Sequence, residues 1–186
     1  MKKFILILFL LFPFYNVNAS KYKVTLSKCI DGDTARFIIK GDDVKVRFLG
    51  INAPEIASNT KDGEPYGEEA SKYVCKKLKT ASKIEIEYDN NSDKEDKYGR
   101  TLSYVFIDGK LLETMILKKG YASVKYVKNN YKYYDDLIEA EEYAKNKQLG
   151  IHSGKNPDDD IEKNLALYIK KYVKKLFGNI FEEIFK

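Results

Sequence analysis

Apolar and polar positions alternate in three short runs near the start of the chain, YKVTLSKCI (22–30), DTARFIIK (33–40) and DVKVRFL (43–49). Most of their apolar residues are β-branched or aromatic, and Asp31-Gly32 and Gly41-Asp42-Asp43 punctuate them, so the pattern predicts an antiparallel meander with tight turns. At 66–79 (YGEEASKYVCKKLK) the period changes, and Ala70, Tyr73, Val74 and Leu78 fall on one side of a helix. Strand spacing returns at 83–89 (KIEIEYD) and 100–107 (RTLSYVFI), joined by the polar loop 90–98. Asp108-Gly109 turns the chain into a helix over 111–119, which Gly120 ends. A short extended piece at 121–127 precedes a third helix over about 131–147, with Leu137, Ile138 and Ala144 on one face and Gly150 just beyond.

Three strands, a helix, two strands and two helices make an α+β chain whose order is that of a five-stranded OB-type Greek-key β-barrel with three helices. An open α+β sandwich is the alternative. The barrel is the more economical, because five short strands close their own edges in it.

Both ends fall outside this domain. Met1-Lys2-Lys3, the apolar run Phe4–Phe14 and the small-x-small Val17-Asn18-Ala19 read as a signal peptide over 1–19, cleaved near Ala19, against the alternative of an uncleaved N-terminal anchor. The product is then secreted or periplasmic, with a domain over 20–153. Residues 153–160 (SGKNPDDD) read as a linker into the tail of 154–186. In it Ile161, Leu165, Tyr168, Ile169, Tyr172, Val173, Leu176 and Phe177 recur at three- and four-residue steps, an amphipathic helix interrupted at Gly178-Asn179. Its stripe is expected to dock on the domain or on a second copy. Lys170, Lys171, Lys174 and Lys175 also allow contact between residues 161–186 and a membrane surface, which Glu182 and Glu183 weaken.

Charge says little about partners. The formal net charge is +5, and Lys2 and Lys3 leave with the signal peptide, so any positive groove must come from local arrangement. Two cysteines, Cys29 and Cys75, permit one disulfide in an exported chain. The reading preferred on sequence is two small buried residues. A single histidine, His152, makes histidine-pair ribonuclease chemistry and a Ser-His-Asp triad improbable, and packing or capping suits it better. No phosphate loop of the G-x-x-x-x-G-K-[ST] type is present.

Three clusters sit at strand ends: Asp31-Gly32-Asp33-Thr34, Arg47 through Glu55 (RFLGINAPE), and Asp96-Lys97-Tyr98-Gly99-Arg100. Each alone is an ordinary turn or loop. Together they hold what phosphodiester cleavage needs. Asp33 and Asn52 offer oxygens to a hard divalent cation. Arg47 and Arg100 can clamp a phosphate with planar forks that lysine lacks. Glu55 can accept a proton from an attacking water.

The pieces CIDGDT, VRFLGINAPE, YGEEASKYV, KIEIEYD, DKYGRTLSYV, LLETMILKKGYASV and QLGIHS resemble the thermonuclease (staphylococcal nuclease) family from about Lys21 to Ser153. The resemblance implies a Ca²⁺-dependent endonuclease that acts on DNA and RNA and leaves 3′-phosphate ends. It places Asp33 as chief metal ligand, Arg47 and Arg100 as phosphate-binding arginines, and Glu55 as general base. Lys97, Tyr98 and Tyr126 fall where the family shapes its nucleotide pocket. Asn52 stands where the best-known members carry a second metal-binding aspartate, and Ala53 where they carry threonine. The Ala53 carbonyl stays available, and Asp31 can partly replace the lost charge, so weaker binding or altered metal preference is expected. Lys128 takes the place of a second pocket tyrosine, which reduces base stacking. The competing reading is a non-catalytic nucleic-acid or protein binding module on the same barrel.

Overall fold

The computed structural model describes residues 21–58, 62–157 and 165–173. The first strands are β1 (Tyr22–Cys29), β2 (Thr34–Ile39), β3 (Asp42–Phe48) and the two-residue β4 (Ile51–Asn52). Helix α1 (Gly67–Thr80) follows, then β5 (Ile84–Glu87), β6 (Thr101–Ile107) and β7 (Lys110–Leu111). Helix α2 (Leu112–Lys118), β8 (Ser123–Val124), α3 (Tyr134–Asn146) and a 3₁₀ turn at Gly150–His152 complete the order.

The strand order β3-β2-β1-β5-β6 is antiparallel throughout, and a parallel pairing of β3 with β6 closes it into a five-stranded barrel. The expected fold class and element order stand. The closing register sets Val46 against Thr101, Arg47 against Leu102 and Phe48 against Ser103. Phe37, Val46, Phe48, Ile86 and Val105 fill the interior, and Tyr104, on the other face of β6, is buried against the Tyr133 ring. Helix α1 lays Ala70, Val74 and Leu78 on the core, a four-residue spacing that keeps one face inward. Helix α2 ends on a Schellman pair, Tyr121 N–H to Ile116 O (3.1 Å) and Gly120 N–H to Leu117 O (2.8 Å), with Gly120 at φ 68°.

The extended piece at 121–127 does more than connect. Its Ser123 and Val124 pair with Asn52 and Ile51 in a second, two-stranded ribbon, and Glu141 of α3 accepts the Val124 N–H at 3.0 Å. Two-residue strands carry no periodic signal, so pattern reading misses them.

Cys29 and Cys75 are joined in a disulfide with Cα atoms 5.5 Å apart, which overturns the reading of two separate buried thiols. The bond ties the end of β1 to α1 across 46 residues. Loop-closure entropy for that span is about 4 kcal/mol. The double variant Cys29→Ser/Cys75→Ser is therefore expected to lose about 3–4 kcal/mol in urea unfolding, and an unchanged midpoint would contradict this.

The signal-peptide reading falls on residues outside the described ones, as do residues 158–164 and 174–186 of the tail. Residues 165–173 are helical, and Leu165, Tyr168, Ile169 and Tyr172 are exposed. Docking of this part of the stripe on the domain is thus not found.

Candidate active site

The turn between β1 and β2 is built around its own acid. Asp31 Oδ1 accepts the Asp33 N–H at 2.9 Å. A Cβ on Gly32 would come within 2.6 Å of Ala53 Cβ and 2.7 Å of Ala70 Cβ, so glycine lets the turn seat between the Ala53 loop and α1. Asp33 is carried inward by this seating. Its Oδ1 accepts from Thr34 Oγ1 (3.0 Å), and its Oδ2 accepts the Ala53 N–H (2.6 Å) and pairs with Arg47 Nη2 (3.0 Å). Burial pushes the Asp33 carboxyl up to about 6, against the pull of Arg47, and the neighbouring Asp31 charge adds to the rise.

Arg47 is set opposite Thr34 in the β2–β3 register and is buried. Nη1 donates to the carbonyls of Phe48 (3.1 Å) and Ile51 (2.8 Å), and Nη2 to Asn52 Oδ1 (3.1 Å) as well as to Asp33. Among the described residues, its Nε–H alone is left without a protein acceptor. Arg100 is differently placed. It is partly exposed, both Nε and Nη2 lie 2.7 Å from Asp96 Oδ2, and its Cζ sits 5.4 Å from the Tyr98 ring centroid. The two guanidiniums are not equivalent: one is locked into the barrel wall, the other rests on a surface pair.

Asp96 organises the third cluster, and sequence reasoning gave it no role. Its Oδ1 accepts the N–H groups of Tyr98 (2.9 Å) and Arg100 (3.0 Å). Although burial raises it, those N–H donors and the Arg100 guanidinium hold its carboxyl below the ordinary value. The signal available was the D-x-x-G-R turn itself, since aspartate habitually bonds backbone two residues on.

Glu55 lies on the loop after β4, exposed, with its main chain pinned to Glu64 in both directions: Glu55 N–H to Glu64 Oε2 (3.0 Å) and Glu64 N–H to Glu55 O (2.8 Å). Its carboxylate makes no hydrogen bond to the described residues. One open hollow of about 860 Å³ takes in Asp31, Asp33, Arg47, Asn52, Glu55, Lys97, Tyr98, Arg100 and Tyr126. Of the sequence-predicted residues, Ala53 alone is absent from its lining. Tyr98 and Tyr126 are 70% and 79% exposed, so both rings are open to a base. Lys97 Nζ lies 5.0 Å from the Tyr98 ring centroid. Lys128 does not line the hollow, but Tyr131 does, which returns an aromatic wall that the Lys128 position was expected to lose. His152 sits in the 3₁₀ turn, away from this lining.

No three His, Cys, Asp or Glu side chains form a metal-binding group among the described residues. The donors lining the hollow are the Asp33 and Asp31 carboxylates and Asn52 Oδ1; the Ala53 carbonyl, outside that lining, accepts from Asn52 Nδ2 at 3.4 Å. This all-oxygen set fits a hard cation that keeps several waters, such as Ca²⁺ or Mg²⁺, and does not fit a nitrogen- or sulfur-ligated metal.

Residues 45–154 match the family model described as Staphylococcal nuclease homologue. The chain is 42% identical over 131 residues to the SPbeta prophage-derived endonuclease YokF of Bacillus subtilis (strain 168), covering 70% of this chain and 44% of that protein. It is 43% identical over 131 residues to Endonuclease YncB of the same organism, covering 70% and 61%. Against the Thermonuclease of Staphylococcus hyicus the identity is 34% over 138 residues, covering 74% and 79%. The matched stretch thus spans between 44% and 61% of the length of the two Bacillus proteins.

Proposed function

The chain belongs to the staphylococcal nuclease homologue family, and from that premise we propose that it is an exported, metal-assisted endonuclease that hydrolyses phosphodiester bonds of DNA and RNA to leave 3′-phosphate ends. The observation that carries the reading is the convergence of Asp33, Arg47, Glu55 and Arg100, from separate stretches of chain, on one hollow.

A hard cation held by Asp33, Asn52 and the Ala53 carbonyl, with Asp31 behind them, would supply charge neutralisation at the phosphoryl oxygens and acidify water nearby. Glu55, whose carboxylate is exposed and makes no hydrogen bond to the described residues, takes the proton of the attacking water. The oxygen of that water adds to phosphorus as the P–O5′ bond breaks; O5′ leaves with the electron pair and takes a proton from solvent, so the phosphate stays on the 3′ side. Arg100 leaves Asp96 to bind a phosphoryl oxygen, and Arg47 donates from Nε–H at a fixed position. Their charge is worth most in the transition state, when negative charge on the equatorial oxygens rises. Tyr98 and Tyr126 stack on a base, and Lys97 contacts phosphate.

Export rests on residues 1–19, and the Cys29–Cys75 bond supports an oxidising destination. The mass of the protein recovered outside the cell tests cleavage near Ala19.

The purified mature protein is expected to cut DNA and RNA when Ca²⁺ or another divalent cation is added, and to stop on chelation. Its products should resist polymerase extension until treated with a phosphatase. Tight nucleic-acid binding without cleavage under every divalent cation would replace the enzyme by the binding module.

A further inference from the structure

Beside the first hollow lies a second of about 350 Å³, lined by Tyr22, Ile39, Lys40, Tyr88, Lys94, Glu95 and Thr101. Glu95 lines both, and at the start of β6 the residues alternate between them, Arg100 and Leu102 in the first and Thr101 in the second. We propose that this second hollow is a subsite for one further nucleotide of a single-stranded substrate, an extension that rests on the nuclease reading.

The chemistry of the lining fits that ligand class. Tyr22 and Tyr88 meet edge to face, with centroids 5.9 Å apart at 62°, and Tyr22 is 38% exposed. This leaves a ring for a base to stack on, a contact indifferent to base identity. Lys40 Nζ stands 5.7 Å from the Tyr22 centroid, at the outer limit of a cation–π contact. Lys40 and Lys94, like most of the described lysines, pair with no carboxylate among the described residues; what sets these two apart is that both line this hollow. Two uncompensated ammonium groups beside an aromatic ring suit a phosphate next to its base. Lys40 is held on the rim by the β2–β3 turn, in which it takes φ 54°. Glu95, on the shared wall, repels phosphate and accepts from base N–H groups, so the base faces Glu95 and the phosphate faces the lysines. A volume of this size matches the lower end of small-ligand sites.

The first hollow, at 860 Å³, is large enough for a dinucleotide, and the second adds to longer strands only. For the wild-type protein kcat/KM should rise about tenfold from dinucleotide to octanucleotide, through KM. In Lys40→Ala/Lys94→Ala that gain should vanish while dinucleotide hydrolysis is unchanged. In fluorescence anisotropy the slope of log K against log salt for the octanucleotide should fall by about 0.7, the amount for one phosphate contact on a single strand. Tyr22→Leu, which keeps the strand position apolar, should lose the length gain without altering the salt slope. The same length gain in all variants overturns the proposal, and so does an equal loss on both substrates. If the wild-type protein cleaves neither, the nuclease reading fails, and the anisotropy salt slopes still decide the subsite.

Discussion

Glu55→Gln is expected to lower kcat for DNA cleavage by about 10²–10⁴-fold, with KM and thermal stability little changed. Glutamine keeps the length and volume of the side chain and removes only its ability to take a proton. Stability should be spared because the Glu55 carboxylate is exposed and bonds to none of the described residues, while the contacts to Glu64 run through the main chain of Glu55, which the substitution leaves intact. Retention of most of the wild-type rate would remove Glu55 from the mechanism, and a parallel fall in Tm would make the residue structural.

The second large effect is one of stability as well as rate. Arg47→Met should cost about 3–5 kcal/mol, because it strands Asp33 in the barrel wall and leaves the Phe48 and Ile51 carbonyls without their donor. The same change at Arg100 should cost no more than about 1 kcal/mol, since its pair with Asp96 is partly exposed. Both variants should lose about 10²–10³-fold in kcat. The loss at Arg47 should also depend on pH in a defined sense. Asp33 already titrates near 6 in the folded protein, above its ordinary 3.8, so its ionisation costs stability as pH rises through that interval. Without Arg47 the folded value rises further, and the cost keeps growing above pH 6. The stability gap between wild type and Arg47→Met, measured without divalent cation, should therefore widen from pH 5 to pH 8. A constant gap would mean that the Asp33–Arg47 pair is not what the variant breaks.

The hydrophobic pattern was enough to place the five barrel strands and the three helices to within a few residues, because each buries one face and so writes a period of two or of 3.6 into the chain. Residue chemistry likewise picked out Asp33, Arg47, Glu55 and Arg100, since few side chains can hold a hard cation, clamp a phosphate or take a proton. That these four meet was not in the pattern. It depends on the parallel pairing of β3 with β6, which aligns Arg47 with Leu102 and so brings Arg100 to the same end of the barrel. It depends also on the β4–β8 ribbon, which presents Asn52 beside the segment carrying Tyr126. Parallel closure joins strands far apart in the chain and leaves no local trace, and a two-residue strand is shorter than any pattern that could reveal it. The inequality of the arginines and the union of Cys29 with Cys75 have the same origin: burial and proximity are properties of the closed barrel, not of any window of sequence.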